Sequence, residues 1–172
     1  MPWPTGTTDS LAREFVVSFT LKVPHALGIG YVHPALYFRD RRNNQRIWIT
    51  LQAFDSRSGI SQEYVTSDGF SPIVVTSFGR SGSFGRSVFG SLSDTTWISP
   101  RSYEYRLNGF QFENALDVAG CSSSDLTRLS CSAEDFQLTI GFVELETAAA
   151  GSEIGATVSN LGLRRTNPNV FQ

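Results

Sequence analysis

The run Arg13-Glu14-Phe15-Val16-Val17-Ser18-Phe19-Thr20-Leu21-Lys22-Val23 decides the fold class. Phe15, Val17, Phe19, Leu21 and Val23 alternate with Glu14, Val16, Ser18, Thr20 and Lys22. A period of two puts the first set on one face of a β-strand and the second on the other. The first face predicts a core and the second a mostly solvated surface. Pro24 predicts the end of the strand, and Gly28 and Gly30 a loop into a second strand at 35–39.

Working outward, Asp40-Arg41-Arg42-Asn43-Asn44-Gln45 reads as a hairpin turn into a strand at 46–54. Ile47, Ile49, Leu51 and Ala53 take one face of it, and Trp48, Thr50, Gln52 and Phe54 the other. Further short strands are predicted at 63–66, 72–78, 95–98, 103–112, 136–145 and 154–163, separated by turn residues. Three of them change phase midway: Leu107 gives way to Phe110 and Phe112, Phe142 to Val143 and Leu145, and Val158 to Leu161 and Leu163. Such slips predict bulges or bends. Helix is scarce, with short turns predicted at 114–119, closed by Gly120, and after Ser124. The segment 77–87, with SFGR twice, reads as a Gly/Ser-rich loop or irregular edge strand. The sum is an all-β protein: an antiparallel β-sandwich of jelly-roll type with one or two short helical turns, as a single domain over 1–172.

Composition agrees. The chain has 172 residues, of which 40% are hydrophobic and only 17% charged, which excludes a disordered or charge-laced helical protein. A net charge of −2 supplies no positive field for nucleic acid or anionic lipid. No apolar run is long enough to span a bilayer, and Met1-Pro2-Trp3-Pro4 lacks a signal pattern, so an exported form would have lost its signal. Cys121 and Cys131 bracket a short polar segment and predict a local disulfide in an oxidising compartment, secreted, periplasmic or at the cell surface. Two free buried thiols are the alternative.

The motifs of several enzyme classes are missing. There is no GxSxG, no HExxH, no Walker loop and no dinucleotide glycine fingerprint. Glu144 and Glu146, two apart on one strand, share a face and supply the carboxylate pair that glycoside hydrolysis requires. Solvated surface residues, or one ligand of a structural calcium, are the simpler readings of that pair. No catalytic residue, metal ligand set or cofactor is otherwise predicted.

Sugar recognition needs aromatic platforms beside hydrogen-bonding groups, because a pyranose has an apolar face and a hydroxyl rim. Trp48 with Thr50 and Gln52 on one strand face meets that requirement. Tyr37, Trp97, Tyr103 and Tyr105 are further platforms, with Arg46, Arg101 and Arg106 as polar partners. Arg80 and Arg86, in the SFGR segment, are placed to clamp an acidic sugar. Tryptophan is also a common core residue of sandwiches, and loop arginines are commonly just solvated.

Three segments, Phe15 to Leu21, Phe136 to Leu145 and Ala156 to Leu163, together resemble the jelly-roll carbohydrate-binding modules of secreted bacterial polysaccharide-active proteins. That resemblance implies a non-catalytic role: binding a polysaccharide or oligosaccharide on a sheet face or at the loops. The chain departs from it in having no row of tryptophans, which disfavours crystalline polysaccharides as ligands. Rival expectations are a structural or adhesive module acting through a protein partner or self-association, and a glycoside hydrolase using Glu144 and Glu146.

Overall fold

The computed structural model describes residues 14–56, 64–77, 81–82, 85–87 and 97–166. Eleven strands among them form two packed sheets. β1 (Glu14–Leu27), β9 (Trp97–Asn108), β8 (Gly85–Ser87), β7 (Ser81–Gly82) and β11 (Glu153–Thr166) make the five-stranded sheet, in the order β11-β1-β9-β8-β7. β2 (Gly30–Asp40), β3 (Arg46–Gln52), β4 (Phe54–Asp55), β5 (Tyr64–Ser67), β6 (Pro72–Ser77) and β10 (Phe136–Thr147) make the six-stranded sheet. Its order is β10-β2-β3-β6-β5, with β4 paired to β2. The result is an all-β sandwich, consistent with a jelly roll.

One pair departs from the expected antiparallel pattern: β3 and β6 run parallel, Trp48 facing Ile73 and Thr50 facing Val75. A parallel pair cannot be joined by a tight hairpin. The chain leaves β3, continues along the same edge of β2 in the short β4 pairing, and returns through β5 before β6.

The core lies between the sheets and follows the alternation of β1. Phe15, Val17, Phe19, Leu21 and Val23 are buried against Val32, Leu36 and Phe38 of β2 and Ile47 and Ile49 of β3. Rings interlock there: Phe15 meets Phe38 edge-on at 5.6 Å, and Phe19 stacks on Tyr103 at 5.4 Å. Such contacts add stability beyond area burial. The outer face of β1 is less solvated than its polar residues imply, because Glu14 and Val16 are also buried.

Phe110 and Phe112 are not the tail of a strand. Asn108 and Gln111 form a reciprocal capping box, and α1 (Gly109–Val118) starts there. The cap satisfies two backbone N–H groups at the helix start, and Phe112, Ala115 and Leu116 bury the inner face of the helix. Gly120, at φ +80°, follows the helix in the left-handed conformation that glycine adopts without a Cβ clash. The second helical turn is a 3-10 turn at Ala133–Asp135 rather than after Ser124. In the cysteine loop it is the Ser122 hydroxyl that takes the Asp125 N–H, at 3.0 Å.

The irregularity in β10 falls earlier than expected, between Leu138 and Ile140. That in β11 lies where Asn160 adopts φ +54°, before Leu161 as the phase change predicts. The SFGR segment contributes backbone to the β7-β8 hairpin at one edge of the five-stranded sheet. Cys121 and Cys131 form a disulfide.

Candidate functional site

Alternation along the strands decides what the outer face of the six-stranded sheet presents. In β2, Val32, Leu36 and Phe38 point into the core, so Tyr31, His33 and Tyr37 point out. In β3, Ile47 and Ile49 point in, so Trp48 and Thr50 point out. After the shift in β10, Phe142, Glu144 and Glu146 lie on this outer face, facing Ala35, His33 and Tyr31 across the β10-β2 ladder.

These residues form the wall of a cleft of about 500 Å³. Glu144 and Glu146 come from β10, Tyr31 and His33 from β2, Trp48 and Thr50 from β3, Ile73 from β6, and Thr66, Ser67 and Asp68 from β5 and the turn after it. Five strands separated by four spacings of about 4.8 Å give it a length near 19 Å. The parallel β3-β6 pairing sets the Thr66–Asp68 segment at the far end of the cleft from the carboxylates, since Thr66 pairs with Ile73 and Ile73 with Trp48, whereas Glu144 pairs with His33.

Trp48 is half-buried and propped by two rings. Tyr37 and Phe142 meet it edge-on at 5.1 and 5.2 Å, and the Arg46 guanidinium sits 5.7 Å from the centre of the Tyr37 ring. Such neighbours fix the indole plane and leave it little freedom to lose on binding. Tyr31 and His33 lie with ring centres 5.3 Å apart. Two ring nitrogens in the wall, Trp48 Nε1 and His33 Nε2, are buried with no hydrogen-bond partner among the described residues.

The electrostatics are those of an acidic site. Burial holds the His33 pKa down to about 4, against the opposing pull of the Asp55 carboxylate, so the ring is neutral at pH 7. Glu144 is pushed above the usual carboxylate range, first by burial and then by the like charge of Glu146. Asp68 is lowered by the N–H groups of Phe70 and Ser71, which donate to its Oδ1 at 2.7 Å each, and it stays ionised.

The other sequence-predicted residues lie elsewhere. Tyr103 and Tyr105 are core residues and offer no surface to a ligand. Arg106 is on the five-stranded sheet, where it donates to Glu14 at 2.8 Å and to Glu104 at 2.7 Å, and Arg164 donates to Glu104 at 2.7 Å. This ion network occupies the guanidinium of Arg106. Arg101 is exposed on the same sheet. Arg80 lies outside the described residues, and so do the side chains of Gln52, Arg86 and Trp97. Tyr31, His33 and Asp68 were not singled out by the sequence reading.

A second, smaller cavity of about 220 Å³ opens where β10 and β11 run along one side of the sandwich. It is lined by apolar side chains such as Val17, Leu36 and Leu163 and by Gly141 and Gly162, and among the described residues no polar side chain lines it to orient a sugar. No three His, Cys, Asp or Glu side chains among the described residues come together as a metal site. No helix among them is long and apolar enough to cross a membrane. No protein-family model and no curated protein sequence matches the chain.

Proposed function

We propose that this chain is a non-catalytic glycan-binding module of an exported protein, and that the outer-face cleft of the six-stranded sheet is its binding site. The observation that carries the reading is Trp48. It lines the cleft, held by Tyr37 and Phe142, with Thr50, Glu144 and Glu146 in the same wall. An aromatic ring beside hydroxyl and carboxylate acceptors matches the apolar face and hydroxyl rim of a pyranose. The disulfide supports export, since such bonds persist in oxidising compartments.

The test is binding of the whole chain to a broad glycan and polysaccharide array, with and without calcium, followed by Trp48→Ala and Tyr31→Ala on any ligand found. Retention lost in variants whose circular dichroism and melting match the parent supports the reading. Silence across the array overturns it in favour of a protein-interaction module, for which concentration-dependent sedimentation is the next measurement.

A second reading rests on the placement of Glu144 beside Glu146 in the cleft. Burial and the like charge of Glu146 raise Glu144, and a carboxyl raised beside a second carboxyl is what a general acid of glycoside hydrolysis requires. Glycoside hydrolysis predicts reducing ends released from a bound glycan and lost in Glu144→Gln. Binding without release removes this second reading.

A further inference from the structure

The lining of the cleft narrows the ligand class, an inference that rests on the glycan reading above. Its charged side chains among the described residues are Glu144, Glu146 and Asp68, with neither lysine nor arginine. His33 does not offset them, because burial keeps it neutral. Glu144 and Glu146 project from one strand face two residues apart, about 7 Å along the strand, so a single cation between them can pair with both.

The three kinds of glycan fare differently in this lining. An acidic sugar would meet three carboxylates and no counter-charge, which works against binding. A neutral sugar would donate its hydroxyls to those carboxylates in place of water, but without the added attraction of an opposite charge. An ammonium group would pair with Glu144 and Glu146, offset the like charge that adds to burial in raising Glu144, and lie beside Tyr31, which faces Glu146 across the β10-β2 ladder. The cleft supplies a second, independent observation: Trp48, held edge-on by Tyr37 and Phe142, lines the same wall as the carboxylates, and a fixed ring beside polar groups is what the apolar face of a sugar stacks on.

We infer that the cleft binds glycans bearing free amino groups, a deacetylated amino-sugar chain in particular, with Glu144 and Glu146 holding the ammonium and Tyr31 and Trp48 flanking the ring. Hydroxyls further along the oligomer then meet Thr66, Ser67 and Asp68, exposed at the far end of the cleft.

The experiment is calorimetric titration of the whole chain near pH 6 with three β-1,4-linked oligomers of equal length: glucosamine, N-acetylglucosamine and glucose. Glu144→Gln and Glu146→Gln, exposed and nearly isosteric changes, are titrated alongside after their melting is checked. The expected result is at least a roughly tenfold preference for the glucosamine oligomer, reduced in each variant and weakened by added salt. Equal affinity for all three oligomers, or a preference for glucose, overturns the amine assignment and leaves the glycan reading standing. Binding of oligolysine with none of the three oligomers overturns both, as does no binding at all.

Discussion

Asp40 Oδ2 accepts the backbone N–H of Ser130 at 2.7 Å, joining the end of β2 to the segment just before Cys131. The same carboxyl, completely buried, also accepts the Arg42 N–H at 2.8 Å and faces the Arg42 guanidinium at 3.2 Å. Asn43 adds a second tie by donating to the carbonyls of Leu126 and Arg128, and the Gln45 amide donates to that of Thr127. Asp40→Ala strands the buried Ser130 N–H and leaves Arg42 with Asp135, 3.5 Å away, as its carboxylate partner, and should lower the urea-unfolding free energy by about 2 kcal/mol. Asp40→Asn keeps an acceptor and should cost less.

Reduction of the disulfide is the complementary perturbation. The bridge spans 10 residues, and loss of so short a loop closure should cost about 2 to 3 kcal/mol. Because Asp40 and Asn43 hold the loop independently, Cys121→Ser with Cys131→Ser should still give a folded chain. A near-ultraviolet circular dichroism spectrum matching the parent would verify this, and a collapsed spectrum would refute it.

On the five-stranded sheet, Arg106 lies between Glu14, 4% exposed, and Glu104. Arg106→Met leaves the buried Glu14 without that guanidinium and should destabilise by about 3 kcal/mol. Glu14→Gln in the same chain should recover a large part of the loss, since the buried charge that faced the guanidinium is then gone. Burial is the largest single influence on Glu104 and raises it, but the hydrogen bonds and charges of Arg164 and Arg106 together leave it lowered, so it gives stability present above its unfolded value and lost as pH falls through the folded one.

The pH profile should show His33 separately. Its folded pKa, about 4, lies below the unfolded 6.5, so the unfolded chain binds more protons between those values. Stability is then complete above pH 6.5 and falls as pH drops towards 4. The loss should be about 1 to 3 kcal/mol, as part of the ring still meets solvent. His33→Gln should flatten the melting temperature over that window, and an unchanged slope would count against a buried neutral imidazole.

Glu144 runs the opposite way. Its folded pKa is raised, so its contribution is present below the unfolded value and lost as pH rises through the folded one. Glu144→Gln should therefore raise stability slightly at neutral pH, by a few tenths of a kcal/mol after solvent screening, and give no gain in acid. Melting curves of both proteins at pH 3.5 and 7, compared pairwise, check the sign.

The strict period of two in β1 made the sandwich legible, and the same rule placed Trp48 with Thr50, and Glu144 with Glu146, on common strand faces. What alternation cannot show is which strands are neighbours. The position of Glu144 opposite His33 depends on the β10-β2 register, and that of Asp68 on the parallel β3-β6 pairing, so His33, Tyr31 and Asp68 carried no local signal. Two misreadings had signals in reach. Tyr103 shares the alternation of Tyr105 and Leu107 and so belonged with the core, and Asn108-Gly109-Phe110-Gln111 carries the spacing of a capping box, which marks a helix and not a bent strand.

The parallel β3-β6 pair has a bearing on how the protein is made. As the chain is synthesised from its N-terminus, β2 and β3 can pair at once. The Asp68 wall needs the return through β5 and β6, and the Glu144 wall needs β10, more than ninety residues after β2. Pairings of such sequence separation form slowly. Until β10 docks, β2 presents an open hydrogen-bonding edge beside exposed aromatic rings, so the cleft-bearing sheet is the part of the newborn chain most in need of shielding from its neighbours.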